Sequence, residues 1–254
     1  MELNFKTMGR GEPVIILHGL FGTLDNWQTI AKHLSEHFSV YIVDQRNHGR
    51  SPHAAHMDYP ALAEDLRHFM ERHWMYKAHL IGHSMGGKTV MEFALEHPDM
   101  TDKLVVVDIA PKAYPGGHED IFKALFAVDL DAIQSRQEAE EILSQYIEDA
   151  GTKQFLLKNL SRKKEGTFEW KMNLPVLHQY YQEILAPPTA QTPFEGETLF
   201  IRGGRSPYVL DSDLPAIHGL FPAAQLETIA NAGHWVHADA PAELLQKVYT
   251  FLTK

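Results

Sequence analysis

Cysteine is absent from the 254 residues, so the chain has no disulfide framework, no thiol nucleophile and no thiolate metal site. No apolar run approaches the eighteen or so residues that a spanning helix requires. The opening stretch, Met1 to Pro13, lacks the basic-then-apolar layout of a signal peptide. Basic residues are outnumbered, 23 Lys and Arg against 33 Asp and Glu, for a formal charge of −10. That balance argues against nucleic acid as a partner, because phosphate binding needs a basic face. Internal repeats and low-complexity tracts are missing as well. The expectation is a soluble, cytoplasmic protein acting on a small molecule. Its 44% apolar content suffices for a sizeable core,, and the sequence says nothing about oligomeric state.

What is present is a rhythm. Short apolar runs at Val14–His18, Val40–Asp44, Ala78–Gly82, Leu104–Asp108, Thr198–Arg202 and Gln225–Ile229 read as strands. Helical patterns lie between them, near Trp27–Glu36, Pro60–Arg72, Ser84–His97, Asp211–Phe221 and Pro241–Leu252. Continuous apolar strands separated by helices imply an α/β fold, a mostly parallel sheet covered on both faces. The rhythm breaks between Pro111 and Pro193, where no strand is evident and helices are expected at Glu119–Val128 and Arg136–Glu148. The expected organisation is a core of residues 1–110 and 194–254, with a helical cap, 111–193, inserted between two strands.

The chemistry is carried by "LIGHSMGGK", where a strand meets a helix. Gly82-His83-Ser84-Met85-Gly86 matches G-x-S-x-G, a turn so tight that side chains at the two glycines would meet neighbouring backbone. Such a turn lifts the Ser84 hydroxyl clear of the sheet at a helix N-terminus, which favours anions. "VIILHGLFG" places His18-Gly19-Leu20 at the end of an early strand. There the amides of Leu20 and Met85 can form an oxyanion hole. "NAGHWVH" sets His234 in the loop after the last strand, where a general base is needed.

These blocks, together with "DQRNHGRSP", "DIAP" and "GGRSPYV", resemble those of the α/β-hydrolases, and among them the small bacterial esterases of the YbfF type. "NAGHWVH" departs slightly from the "GAGHWVH" form of that group. The resemblance covers nearly the whole chain and is least diagnostic in the cap. It implies a serine hydrolase that needs no cofactor and no metal, cleaving carboxylic esters of small to medium acyl chains through an acyl-enzyme. Thioester hydrolysis, acyl-coenzyme A included, and an inert binding module on the same fold are the alternatives. C–C bond hydrolysis and perhydrolysis use the same residues and stay open, whereas an aspartate nucleophile does not fit Ser84.

A serine–histidine pair needs an acid. In most α/β-hydrolases it follows the second-to-last strand, but here that loop offers Ser206, with Asp211 and Asp213 further on. Asp108 ends the strand after the elbow, and adjacent strands are about 4.8 Å apart, so it could reach His234 while keeping the order Ser, Asp, His. The resemblance implies the same role for the "DIAP" aspartate. Asp108 is the expected acid and Asp211 or Asp213 the alternative; a turn cap is the competing reading of Asp108. Ser206 reads as a loop serine or as a partner of the acid or of His234.

His18 is expected to fix the oxyanion loop. His83 and Lys88 read as a packing partner and a helix-surface charge, with a supporting role at the site as the alternative. Arg46, Asn47 and His48 are expected to brace the loop turned by Gly49, and Asp25 and Asn26 to cap the first helix. The pairs His53/His56 and His234/His237 lack a third ligand for a metal. In the cap, Phe122, Leu125, Phe126, Phe155, Trp170, Met172, Leu177, Tyr180 and Tyr181 form its core, and some of them line an acyl pocket. Lys158, Arg162, Lys163 and Lys164 read as a solvated face, or as an attractor for a phosphate-bearing substrate.

Overall fold

The computed structural model describes residues 1–254. Seven strands form one sheet in the order β1-β3-β2-β4-β5-β8-β9. They are β1 (Phe5–Met8), β2 (Pro13–Leu17), β3 (Ser39–Val43), β4 (Ala78–His83), β5 (Thr101–Val107), β8 (Thr198–Gly203) and β9 (Ala224–Ile229). All neighbours are parallel except β1, which runs antiparallel to β3 at one edge. The six expected strands are present to within a few residues, and β1 is an addition. At four residues with no buried position, it is too short and too wet to show a period.

The continuous apolar runs follow from burial on both faces. Leu104 and Val106 of β5 point to one side, with Leu66, Phe69, Val90 and Phe93 from α2 (Tyr59–Arg72) and α3 (Met85–Glu96). Val105 and Val107 point to the other, with Ile30 and Leu34 of α1 (Gln28–Leu34) and Val248 and Phe251 of α11 (Pro241–Leu252). Helix α2 starts where Asp58 accepts from Ala61 N at 2.9 Å and Pro60 occupies the first turn,. A 3₁₀ turn at Leu24–Trp27 precedes α1, and another at Asp211–Asp213 precedes α9 (Leu214–Leu220). A four-residue helix, α10 (Val236–Asp239), separates β9 from α11.

Between β5 and β8 the chain leaves the sheet. It forms α4 (Glu119–Ala127), α5 (Arg136–Leu143), α6 (Ala150–Leu157), α7 (Leu174–Gln179) and α8 (Tyr181–Leu185). Helix α5 stops five residues short of Glu148, where the Ser144 hydroxyl bonds back to Glu140 O at 2.7 Å and the next amides form tighter turns,. The expectation of a strand-free segment is wrong. β6 (Leu160–Arg162) and β7 (Phe168–Trp170) make a hairpin, turned by Gly166 at φ 101° and closed by Lys163 N on Thr167 O at 2.8 Å. Three-residue strands are too short to establish an alternation in sequence.

Phe122, Leu125, Trp170, Met172, Leu177 and Tyr181 are buried together with Phe21, Met57, Tyr59, Leu62 and Met85 of the sheet region. Phe126, by contrast, is 49% exposed. The inserted segment thus rests on the carboxyl ends of the strands. In α/β sheets that edge is where ligands bind.

Candidate active site

Register places the candidate residues at one level. His83 of β4 stands opposite Val107 of β5, so the next residues, Ser84 and Asp108, leave the sheet side by side. Ser84 has φ 53° and ψ −119° and donates its amide to Val107 O at 3.0 Å. The glycines permit this turn: a Cβ on Gly82 would collide with Gly86 O, and one on Gly86 would lie 2.5 Å from His18 O. Gly19 is equally constrained, since a Cβ there would lie 2.9 Å from His83 Nδ1 and 3.2 Å from Ser84 Cβ.

Ser84 Oγ lies 3.0 Å from His234 Nε2, and His234 Nδ1 donates to Asp108 Oδ2 at 2.7 Å. Asp108 is fully buried and takes two further donors, Gly203 N on Oδ1 at 2.8 Å and the Ser206 hydroxyl on Oδ2. The carboxylate at the rim of the core is therefore satisfied on both oxygens, as a buried charge must be. The alternative acids lie elsewhere: Asp213 holds Lys112 Nζ at 2.6 Å, and Asp211 meets Arg202 at 2.8 Å with its side chain 82% exposed.

His234 is held on both flanks. The Tyr208 ring stacks on it with centroids 3.8 Å apart, and His83 Nε2 donates to its backbone carbonyl at 2.8 Å. His83 is itself buried, and desolvation, reinforced by His237 and His234 nearby, keeps it well below the usual imidazole range. A neutral ring can stand beside a His234 that becomes cationic; a charged one could not.

The amides of Leu20 and Met85 have no partner within the chain, and both residues line the cavity that contains Ser84. His18 sets the Leu20 loop: its Nδ1 donates to Gly19 O at 2.8 Å and its Nε2 accepts from Gln45 N at 3.1 Å. Both ring nitrogens are thus used, and burial lowers its pKa. Gln45, unremarked in the sequence reading, adds a bond to His18 O at 2.6 Å and accepts from Thr89. His48 is buried and lowered to about 3, chiefly by desolvation; it accepts from Phe21 N, the residue after Leu20, at 3.3 Å. Arg46 instead holds Asp65, at 2.5 Å. Of the two expected caps, Asn26 accepts from Thr23 N at 2.7 Å, whereas Asp25 pairs with Lys6.

Ser84 sits at the junction of two cavities. One is lined by Trp27, His83, Phe155, His234, Trp235 and His237. Trp27 and His237 are stacked there, with Trp27 Nε1 and His237 Nδ1 lacking any protein partner. The other is lined by Tyr59, Lys88, Ile109, Tyr114, Tyr181 and Tyr208 among others. Lys88 is not a helix-surface charge. It is 1% exposed, because the α3 face that carries it is covered by the residues leaving α8. Nothing in the sequence points to Tyr59 or Tyr114 at the site, while Tyr208 falls inside the "GGRSPYV" block. Lys158, Arg162 and Lys164 are exposed.

A family model described as the alpha/beta hydrolase fold matches residues 12–241. The chain is 41% identical over 258 residues to esterase YbfF of Escherichia coli K12, covering 99% of each. It is 42% identical over 247 residues to the mouse sn-1-specific diacylglycerol lipase ABHD11, covering 94% of this chain and 80% of that one. Among solved structures, a marine microorganism esterase matches with a TM-score of 0.97 and 44% identity, covering 98% of this chain and 99% of its own.

Proposed function

The chain belongs to the α/β-hydrolase family and is an ester hydrolase, and from that premise we propose that Ser84, His234 and Asp108 carry the reaction. The observation behind the proposal is the continuous chain Ser84 Oγ, His234, Asp108 Oδ2, with links of 3.0 and 2.7 Å, opening between two cavities. Ser84 attacks the ester carbonyl while His234 Nε2 takes its proton. Leu20 and Met85 amides receive the oxyanion. His234 then protonates the leaving alcohol, and a water activated by the same nitrogen releases the acid. Asp108 keeps Nδ1 protonated and offsets the imidazolium charge. No step calls for a cofactor.

The proton route assigns the cavities. His234 lines the first cavity and not the second, so the alcohol that must receive its proton occupies the first and the acyl chain the second. The second cavity, walled in part by His118, Tyr181, Ile184 and Leu185, suits small to medium acyl groups, with residues 111–193 acting as the cap. The decisive experiment pairs turnover of nitrophenyl butyrate with labelling by a fluorophosphonate probe. Wild type should do both and Ser84→Ala neither; an unlabelled wild type would favour a binding module, and a clear preference for acyl-coenzyme A would move the substrate to thioesters.

A further inference from the structure

Lys88 is the charge that the reaction leaves unexplained. It lies four residues after Ser84 on α3, hence on the same face one turn along, and both line the acyl cavity. Its Nζ donates to Leu185 O at 2.9 Å and Ala186 O at 2.5 Å. It also lies 4.8 Å from the centre of the Tyr114 ring and 5.6 Å from that of Tyr59. No carboxylate pairs with it: Glu92, one further turn along α3, is engaged by the Thr189 amide at 2.6 Å and by the Thr189 hydroxyl. Desolvation accordingly lowers the Lys88 ammonium to about 7.

An ammonium has three protons, and the two carbonyls take two. Three of the other hydroxyls in the wall already have partners, while that of Tyr208, which also lines the cavity, has none within the chain. Tyr59 donates to Ile184 O, Tyr114 donates to Tyr208 O, and Tyr181 accepts from the His118 amide. The acyl cavity is lined mostly by apolar side chains and tyrosine rings, with one underused cation one turn from the nucleophile. Holding two carbonyls needs donors, not a charge, and a buried charge without a counter-ion costs several kcal/mol.

We propose that Lys88 reads the far end of the acyl group, so that the enzyme favours half-esters of short dicarboxylic acids over alkanoyl esters of equal length. The distal carboxylate supplies the missing counter-ion and accepts the third proton, while the reacting carbonyl stays at Ser84. This rests on Ser84 as the nucleophile and on the second cavity as the acyl site.

The test compares kcat/KM for monomethyl succinate, glutarate and adipate with methyl alkanoates of matching chain length, by acid release, in wild type and in Lys88→Met. Wild type should prefer the half-ester at one length at least by about tenfold, and that ratio should fall by at least about tenfold in the variant, as loss of a charged hydrogen bond implies. The ratio is internal to each protein, so a lower folded fraction leaves it unchanged. Should Lys88→Met not fold, competition in wild type decides: glutarate or adipate should inhibit methyl butyrate hydrolysis more strongly than butyrate does. Equal ratios in both proteins, or equal inhibition by both acids, overturn the proposal. A wild type that cleaves neither set overturns the Ser84 reading beneath it.

Discussion

Ser84 and Asp108 leave adjacent parallel strands at the same level, and both are non-glycine residues in the left-handed region, at φ 53° and 52°. Asp and Asn tolerate that region better than other side chains, whereas Ser84 reaches it only through the glycines around it. The two residues are thus placed by backbone first, and their side chains meet through His234.

Asp108→Asn keeps a side chain suited to φ 52° but loses the charge that fixes the His234 tautomer. We expect kcat to fall by about 10³–10⁴ with the fold retained, measured as ester turnover beside circular dichroism. A variant keeping most of its activity would mean that His234 works without a charged partner at Asp108.

Ser206 donates to the same Asp108 oxygen as His234. Removing that donor in Ser206→Ala should cost about 1.5–3 kcal/mol of support for the carboxylate. The expected result is a kcat lower by about tenfold or more at unchanged KM. An unaltered kcat would mean that Gly203 N and His234 suffice to hold Asp108.

Gly86 packs where a Cβ would lie 2.5 Å from two backbone carbonyls, Leu17 O and His18 O. Backbone of a central strand cannot retreat as a flexible side chain can. Gly86→Ala should therefore destabilise by about 3 kcal/mol or more and abolish turnover, read from urea melts and activity together. A stable, active Gly86→Ala protein would show that the elbow has room to relax.

Lys88 gives a pH signature. Its ammonium titrates near 7 when folded, against 10.5 in an open chain, because of desolvation. Between those values the unfolded chain holds the proton that the folded chain has lost, so this residue makes stability rise with pH. Lys88→Met removes that slope. Its unfolding free energy relative to wild type should increase by of order 2–4 kcal/mol as pH is lowered from about 10 to about 6.5. Loss of the bonds to Leu185 and Ala186 is the same at every pH and cancels. Parallel stability curves would mean that the ammonium is not desolvated.

The sequence by itself determined the sheet and the elbow. Runs such as Leu104–Val107 are apolar at every position because both faces are covered, and Gly82 and Gly86 flank Ser84 because no Cβ fits. Both leave their mark in consecutive residues, although the atoms that crowd Gly86 belong to the distant Leu17 and His18, so the pattern is legible before its partners are known. Only the tertiary structure decided what depends on distant partners. Its place at a strand end and the resemblance single out Asp108 over Asp211 and Asp213 in the sequence, but the contact with His234 comes from the β4–β5 register and the distant loop that carries His234. The hairpin at residues 160–170 was illegible because three-residue strands carry no period. Lys88 read as a surface charge because α3 gives no sign that residues about a hundred positions later cover it, and burial is a property of the packed chain.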